Sequence, residues 1–261
     1  MNRNARIALL LAGILVLILT AGFSFQWSVA TSLWPWPDSR LSYIFIASIL
    51  AAIAVPVIWI GLSGETGATV GGSLNLCLAS GASAIYLFQL YAGGGEHAEF
   101  NDGLVLGIFA VAIGSILGWG LRHPIQDPRP MPPSVRFSFA AFTVILILVG
   151  LALVLKAPVI FPWSLNPDSS VIFGWVFLGA ALYFLYGTLR PSWHNARGQL
   201  MGFLAYDLIL VGPFLAHLID VQPEQMLSLI LYLIMIFYSG GLAVYYLLIN
   251  QQTRTWVAPT E

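Results

Sequence analysis

The chain is short of charge. Of its 261 residues only 8% are Asp, Glu, Lys or Arg, against about 25% in a typical soluble domain. Ten basic and eleven acidic side chains could not clothe a water-soluble protein of this length, so most of its surface meets lipid. A net charge of −1 leaves no basic footprint for nucleic acid. The single cysteine, Cys77, rules out an intrachain disulfide and carries no information about redox compartment. Also missing are a P-loop, a dinucleotide fingerprint and a zincin motif. Gly81-Ala82-Ser83 is too short to be a nucleophile elbow and has no supporting His and acid pattern. The four histidines are too scattered for paired haem ligation: His123 and His194 read as loop residues of one side, His97 and His217 as residues of the other. These absences point away from an enzyme, and no motif names a cofactor.

Apolar residues, by contrast, make up 59% of the chain and fall into long runs. Eight are long enough to cross a bilayer as helices: 7–26, 41–62, 71–92, 103–121, 137–156, 170–189, 199–219 and 226–249. Lipid admits only helices and closed barrels, because nothing there can solvate free backbone groups. Runs of this length are not barrel strands, so the expected fold is an all-α integral membrane protein. Arg3 and Arg6 before the first run could signal secretion. The run is longer than a signal core, however, and no small-x-small cleavage site follows, so a retained helix is expected.

The first four runs are echoed by the last four. Val16 to Ser39 (VLILTAGFSFQWSVATSLWPWPDS) returns about 130 residues later as Leu146 to Ser169 (LILVGLALVLKAPVIFPWSLNPDS). Each copy carries a Pro-Trp pair, Pro35-Trp36 or Pro162-Trp163, then a Pro-Asp-Ser turn, Pro37-Asp38-Ser39 or Pro167-Asp168-Ser169. A repeat of this length predicts a duplicated unit: residues 1–122 and 136–261, joined by a Pro-rich linker over 123–135. Four spans per repeat is an even number, so both halves insert in the same sense, related by a pseudo-two-fold axis along the membrane normal.

Charge predicts the sides. With the N-terminus in the cytoplasm, the cytoplasmic segments hold Arg3, Arg6, Arg122, Arg129, Arg136, Arg190, Arg197 and Arg254, and the outer ones only Arg40 and Lys156. Both termini are then cytoplasmic, in what the compact loops suggest is a bacterial plasma membrane. Asp38, Glu96, Glu99, Asp102, Asp168, Asp220 and Glu224 fall outside. Trp27, Trp34, Trp36 and Trp163 collect at the outer boundary, where the Pro-Trp loops are expected to lie shallowly among headgroups.

Asp207 is the leading candidate for a ligand or proton site, because no Lys or Arg lies well inside any span to pair with it. Its neighbour Tyr206 and Asn75, in the polar third span, complete that candidate set; a hydrogen-bonded core acid is the bland alternative. His97 with Glu96 and Glu99, and His217 with Asp220, offer nitrogen and oxygen donors of a kind metals accept, without a diagnostic spacing. A solvated acidic loop explains the first group as well. Gly103, Gly107, Gly114 and Gly118 form a small-residue stripe on the fourth span, read as an intrachain packing face rather than a dimer seam. Pro56 and Pro213 should kink or loosen their helices.

The loop Trp34-Pro35-Trp36-Pro37 leading into Leu41-Ser42 resembles one in poorly characterised bacterial multi-pass membrane proteins, a resemblance that implies no function. The leading expectation is a non-catalytic accessory or scaffold subunit of a membrane assembly, with lipid or another apolar ligand, or other membrane subunits, as partners. The alternative is a small permease or cation/proton-coupled transporter using Asp207.

Overall fold

The computed structural model describes residues 2–123, 126–127 and 129–255. Among them the chain is all-helical, with a single isolated bridge, Pro130 to Ser192, and no strand. The long helices are α1 (Arg3–Ser24), α2 (Arg40–Ser63), α3 (Thr69–Ala92), α4 (His97–Gly120), α5 (Pro133–Val154), α6 (Pro167–Leu189), α7 (Trp193–His217) and α8 (Met226–Val244). With short flanking turns counted into α3 and α8, these eight are long and apolar enough to span a membrane. The chain is a multi-pass membrane protein.

Local chemistry sets the helix ends. Asn2 caps α1 by accepting from the Ala5 N–H at 2.8 Å, and Ser39 caps α2 by accepting from Ser42 N–H at 3.2 Å. Proline opens α5 and α6, where its missing N–H costs nothing. Gly64 closes α2 with φ +83°, a conformation a side chain would strain. At the ends of α1 and α5 the same left-handed turn is made without glycine, by Gln26 (φ 54°) and Lys156 (φ 56°). Trp27 N–H reaches back to Gly22 O at 2.8 Å, and Ala157 N–H to Ala152 O at 2.9 Å, so both ends close with the same paired-carbonyl motif.

Two helices start six residues earlier than hydropathy predicts. Helix α4 begins at His97 rather than 103, because Glu96 and Glu99 form a reciprocal capping box that draws the acidic loop into the first turn. Helix α7 begins at Trp193 rather than 199, taking His194, Asn195 and Arg197 out of the expected loop and into its first turns. Both Pro56 and Pro213 are accommodated inside continuous helices.

Neighbouring helices pair as α1–α2, α3–α4, α5–α6 and α7–α8, while α2 packs on α7 and α3 on α6. Backbones approach closely where glycines allow it. A Cβ at Gly174 of α6 would lie 2.7 Å from Val154 N and 2.8 Å from Gly150 O of α5. The α4 stripe faces α3: Gly103 lies against Phe88 and Ala84, and Gly107 and Gly114 approach Ala84 and Cys77. Gly118 has open space beside it.

One end of the bundle carries the Trp-containing connections and the other most of the arginines. At the tryptophan end the core is aromatic: Phe45 meets Phe161 at 4.9 Å and Phe173 at 5.2 Å between ring centres. Trp163 is not among headgroups, as its amphipathic ring suggests; it is 6% exposed and packs into this cluster. Its Nε1–H donates to Ser42 Oγ at 2.8 Å, and Trp34 Nε1–H donates to Ser169 Oγ at 3.1 Å. Each Pro-Trp loop thus straps onto the helix that follows the other loop. Buried hydrogen-bonding tips, rather than interfacial solvation, decide where these rings lie.

Candidate functional site

Asp207 lies on α7, about 15 Å along the axis from His217 by the usual helical rise. It is 5% exposed. Ser239 of α8 donates its hydroxyl to Asp207 Oδ2 at 2.9 Å, and shares that proton with its own backbone at Met235 O. Asp207 Oδ1 is buried and has no partner among the described residues. A carboxyl oxygen left unpaired away from water is costly, so this geometry is open rather than complete.

The acid borders a shallow groove of about 180 Å³ between α7 and α8. Its other walls are Leu204, Leu208, Val211, Ile236, Phe237, Gly240, Gly241 and Val244, all apolar. The groove opens on the outer surface of the bundle, where Leu208 is 69% and Phe237 57% exposed. Gly240 lets the α8 backbone lie beside the carboxyl: a Cβ there would come within 3.3 Å of Asp207 Oδ2. What approaches Asp207 is therefore a membrane-facing apolar slot, smaller than the roughly 300–1,000 Å³ of small-molecule sites.

The remaining candidates are dispersed. Tyr206 turns toward α2, its ring 6.0 Å from that of Phe45. Asn75 lies in the α3–α6 seam, where Gly179 leaves room for it, and its Oδ1 is buried without a partner. Asp207, Tyr206 and Asn75 thus occupy three different seams. His97 packs against the Tyr91 ring while Glu96 and Glu99 are engaged in the α4 cap. His217 is flanked by Asp220 Oδ1 at 2.8 Å from Nδ1 and Pro162 O at 2.7 Å from Nε2. Among the described residues no three His, Cys, Asp or Glu side chains stand where they could hold a metal ion.

Hydropathy gave no sign of a second polar region, at the arginine end. Among the described residues, Glu65, in the α2–α3 connection, is buried with Oε2 unpaired, and His194 and Asn195, each 1% exposed, leave Nδ1 and Oδ1 unpaired. Trp59 Nε1 and Arg197 Nε likewise have no partner among the described residues, and the Arg197 guanidinium lies 5.2 Å from the Trp59 ring centre. Burial pushes the Glu65 carboxyl above its ordinary value; a backbone hydrogen bond from Gln126 opposes this, and Asp127 reinforces it. Burial also works to raise Asp127, but the Arg129 guanidinium, 2.6 Å away, outweighs it and holds that carboxyl below its ordinary value. Arg129 also donates to Gln252 O, and its own carbonyl accepts from Trp193 N–H. The linker therefore ties the α6–α7 connection to the C-terminal segment. The available signal was three polar residues in four, His194, Asn195 and Arg197, just before an apolar span, which read as loop until α7 is seen to begin inside them.

Compared with known proteins, the chain stands apart: no family model matches it, and no curated protein and no solved structure matches it significantly.

Proposed function

We propose that the protein is a non-catalytic accessory or scaffold subunit of a membrane assembly, built as two tandem four-helix repeats about a pseudo-two-fold axis along the membrane normal. Four pairs of features support the repeat. The left-handed helix ends at Gln26 and Lys156 are 130 residues apart. So are Arg6 and Arg136, each donating to carbonyls at the C-terminal end of the next helix, Gly61 O at 3.0 Å and Thr188 O at 3.1 Å. The two tryptophan straps are reciprocal, and α2 on α7 mirrors α6 on α3. Repeats 1–122 and 136–261 then insert in the same sense, with the arginine end and both termini in the cytoplasm of a bacterial cell.

One observation carries the accessory reading over a permease: the mid-span acid borders an apolar slot on the lipid-facing surface, and no polar residue other than Asp207 lines it. A coupled transporter needs its acid on a hydrated path between the two sides. The test is flux. Reconstituted in vesicles containing a pH-sensitive dye, wild type and Asp207→Asn should dissipate imposed proton and cation gradients equally slowly. A wild-type flux lost in Asp207→Asn would overturn the reading in favour of the permease.

A further inference from the structure

We infer that the α7–α8 slot receives a transmembrane helix of a different protein, one bearing a Lys or Arg at the depth of Asp207. This rests on the accessory reading and names the partner for its site. Asp207 is 5% exposed and, among the described residues, holds one hydrogen bond through Oδ2 and none through Oδ1. Ionisable groups in lipid are costly alone and pair with one another when they can. The walls suit a helix: Gly240 and Gly241 present backbone without side chains, so a neighbouring backbone can come close, and the carboxyl, whose oxygens have no exposed surface in the slot, must turn outward to meet a partner's side chain.

Charge complementarity selects among occupants. A second copy of this chain has no Lys or Arg well inside any span and could offer Asp207 only another acid. A lipid acyl chain offers hydrocarbon at this depth and no donor. A free cation would find the Asp207 carboxyl alone among apolar walls, too few oxygens for a hard ion. A basic side chain on a packed helix supplies both the charge and the donor.

The probe is a synthetic polyleucine transmembrane peptide with one central Lys, labelled for energy transfer to the purified full chain in phosphatidylcholine vesicles. The control peptide has Leu in place of Lys. The Lys peptide should associate about five- to thirtyfold more tightly than the control, the ratio corresponding to an intramembrane polar contact of about 1–2 kcal/mol. Asp207→Asn should remove most of that preference. Gly241→Leu, which fills the slot and leaves the acid in place, should weaken the Lys peptide by a comparable factor, so the result does not depend on one variant folding. Equal binding of both peptides, or a Lys preference that survives both substitutions, would overturn the inference. So would self-association of differently labelled wild-type copies that Gly241→Leu abolishes, since a second copy would then own the slot. Failure here without Asp207-dependent flux removes this partner and leaves the accessory reading standing; Asp207-dependent flux removes both.

Discussion

Trp163→Phe isolates one of the two straps that join the halves. The substitution deletes the indole N–H that Ser42 Oγ accepts at 2.8 Å, and keeps a ring against Phe45, Phe161 and Phe214. Ser42 is fully buried and retains its bond to Asp38 Oδ1 at 2.6 Å, so what disappears is one buried neutral hydrogen bond. That is worth about 0.5–1.5 kcal/mol, and the smaller ring leaves a void worth about 1 kcal/mol more. At about 2–4 °C per kcal/mol for a chain of this size, the Tm in detergent should fall by roughly 3–10 °C. Trp34 is only partly buried and its bond to Ser169 is longer, at 3.1 Å, so Trp34→Phe should cost less. The two rings meet through the contacting pair Phe45 and Phe173, so the double variant should deviate from additivity by about 0.5 kcal/mol or more. Circular dichroism on heating reads all three. A Trp163→Phe protein melting with wild type would refute the strap, and additive losses would refute the coupling between halves.

Glu65→Gln should stabilise the protein at pH 7. Burial raises the folded carboxyl above its ordinary 4.5, so the native state binds the proton more tightly than the unfolded chain and loses stability as pH rises through that window. The gain from Gln should therefore be full above the raised value and vanish below about pH 4.5; a gain independent of pH across melting curves would contradict the cause given. Arg129→Met strands Asp127 and should cost about 3–5 kcal/mol near neutral pH by denaturant titration. Because Asp127 is held below its ordinary 3.8, that penalty should shrink as acid protonates it, and a loss unchanged at pH 3 would remove the ion pair as its source. Gly174→Ala should cost about 1–3 kcal/mol, since the new methyl meets the α5 backbone, whereas Gly118→Ala should be close to neutral. Equal melting temperatures for those two would contradict the packing described.

Much of the fold is legible in the residues because lipid leaves so few options. Eight apolar runs in an otherwise nearly uncharged chain correspond to eight spanning helices, with ends displaced where capping rather than hydropathy decides. Glu96 and Glu99 look like a solvated loop until their reciprocal bonds make them the start of α4. The site was legible in part. Asp207 stands out as a mid-span acid, but its direction toward an apolar surface slot depends on Gly240, Gly241 and Ser239 of α8, residues common in any membrane helix. Asn75 and Tyr206 are equally polar in sequence and end in other seams, because helix rotation is set by packing. The arginine-end network was hidden for a similar reason: Glu65 and Asp127 come from two connections and His194 from the first turn of α7, and they meet only in the folded bundle.

Side-specific labelling of single cysteines reaches the central claim most directly. In a Cys77→Ser background, Ser32→Cys and Ser164→Cys mark the two Pro-Trp connections, while Leu121→Cys and Gln251→Cys mark the arginine end. A membrane-impermeant maleimide applied to intact cells should modify both Pro-Trp positions and neither of the others until the membrane is broken. Modification of Ser32→Cys and Ser164→Cys from opposite sides would contradict two halves threaded in the same sense.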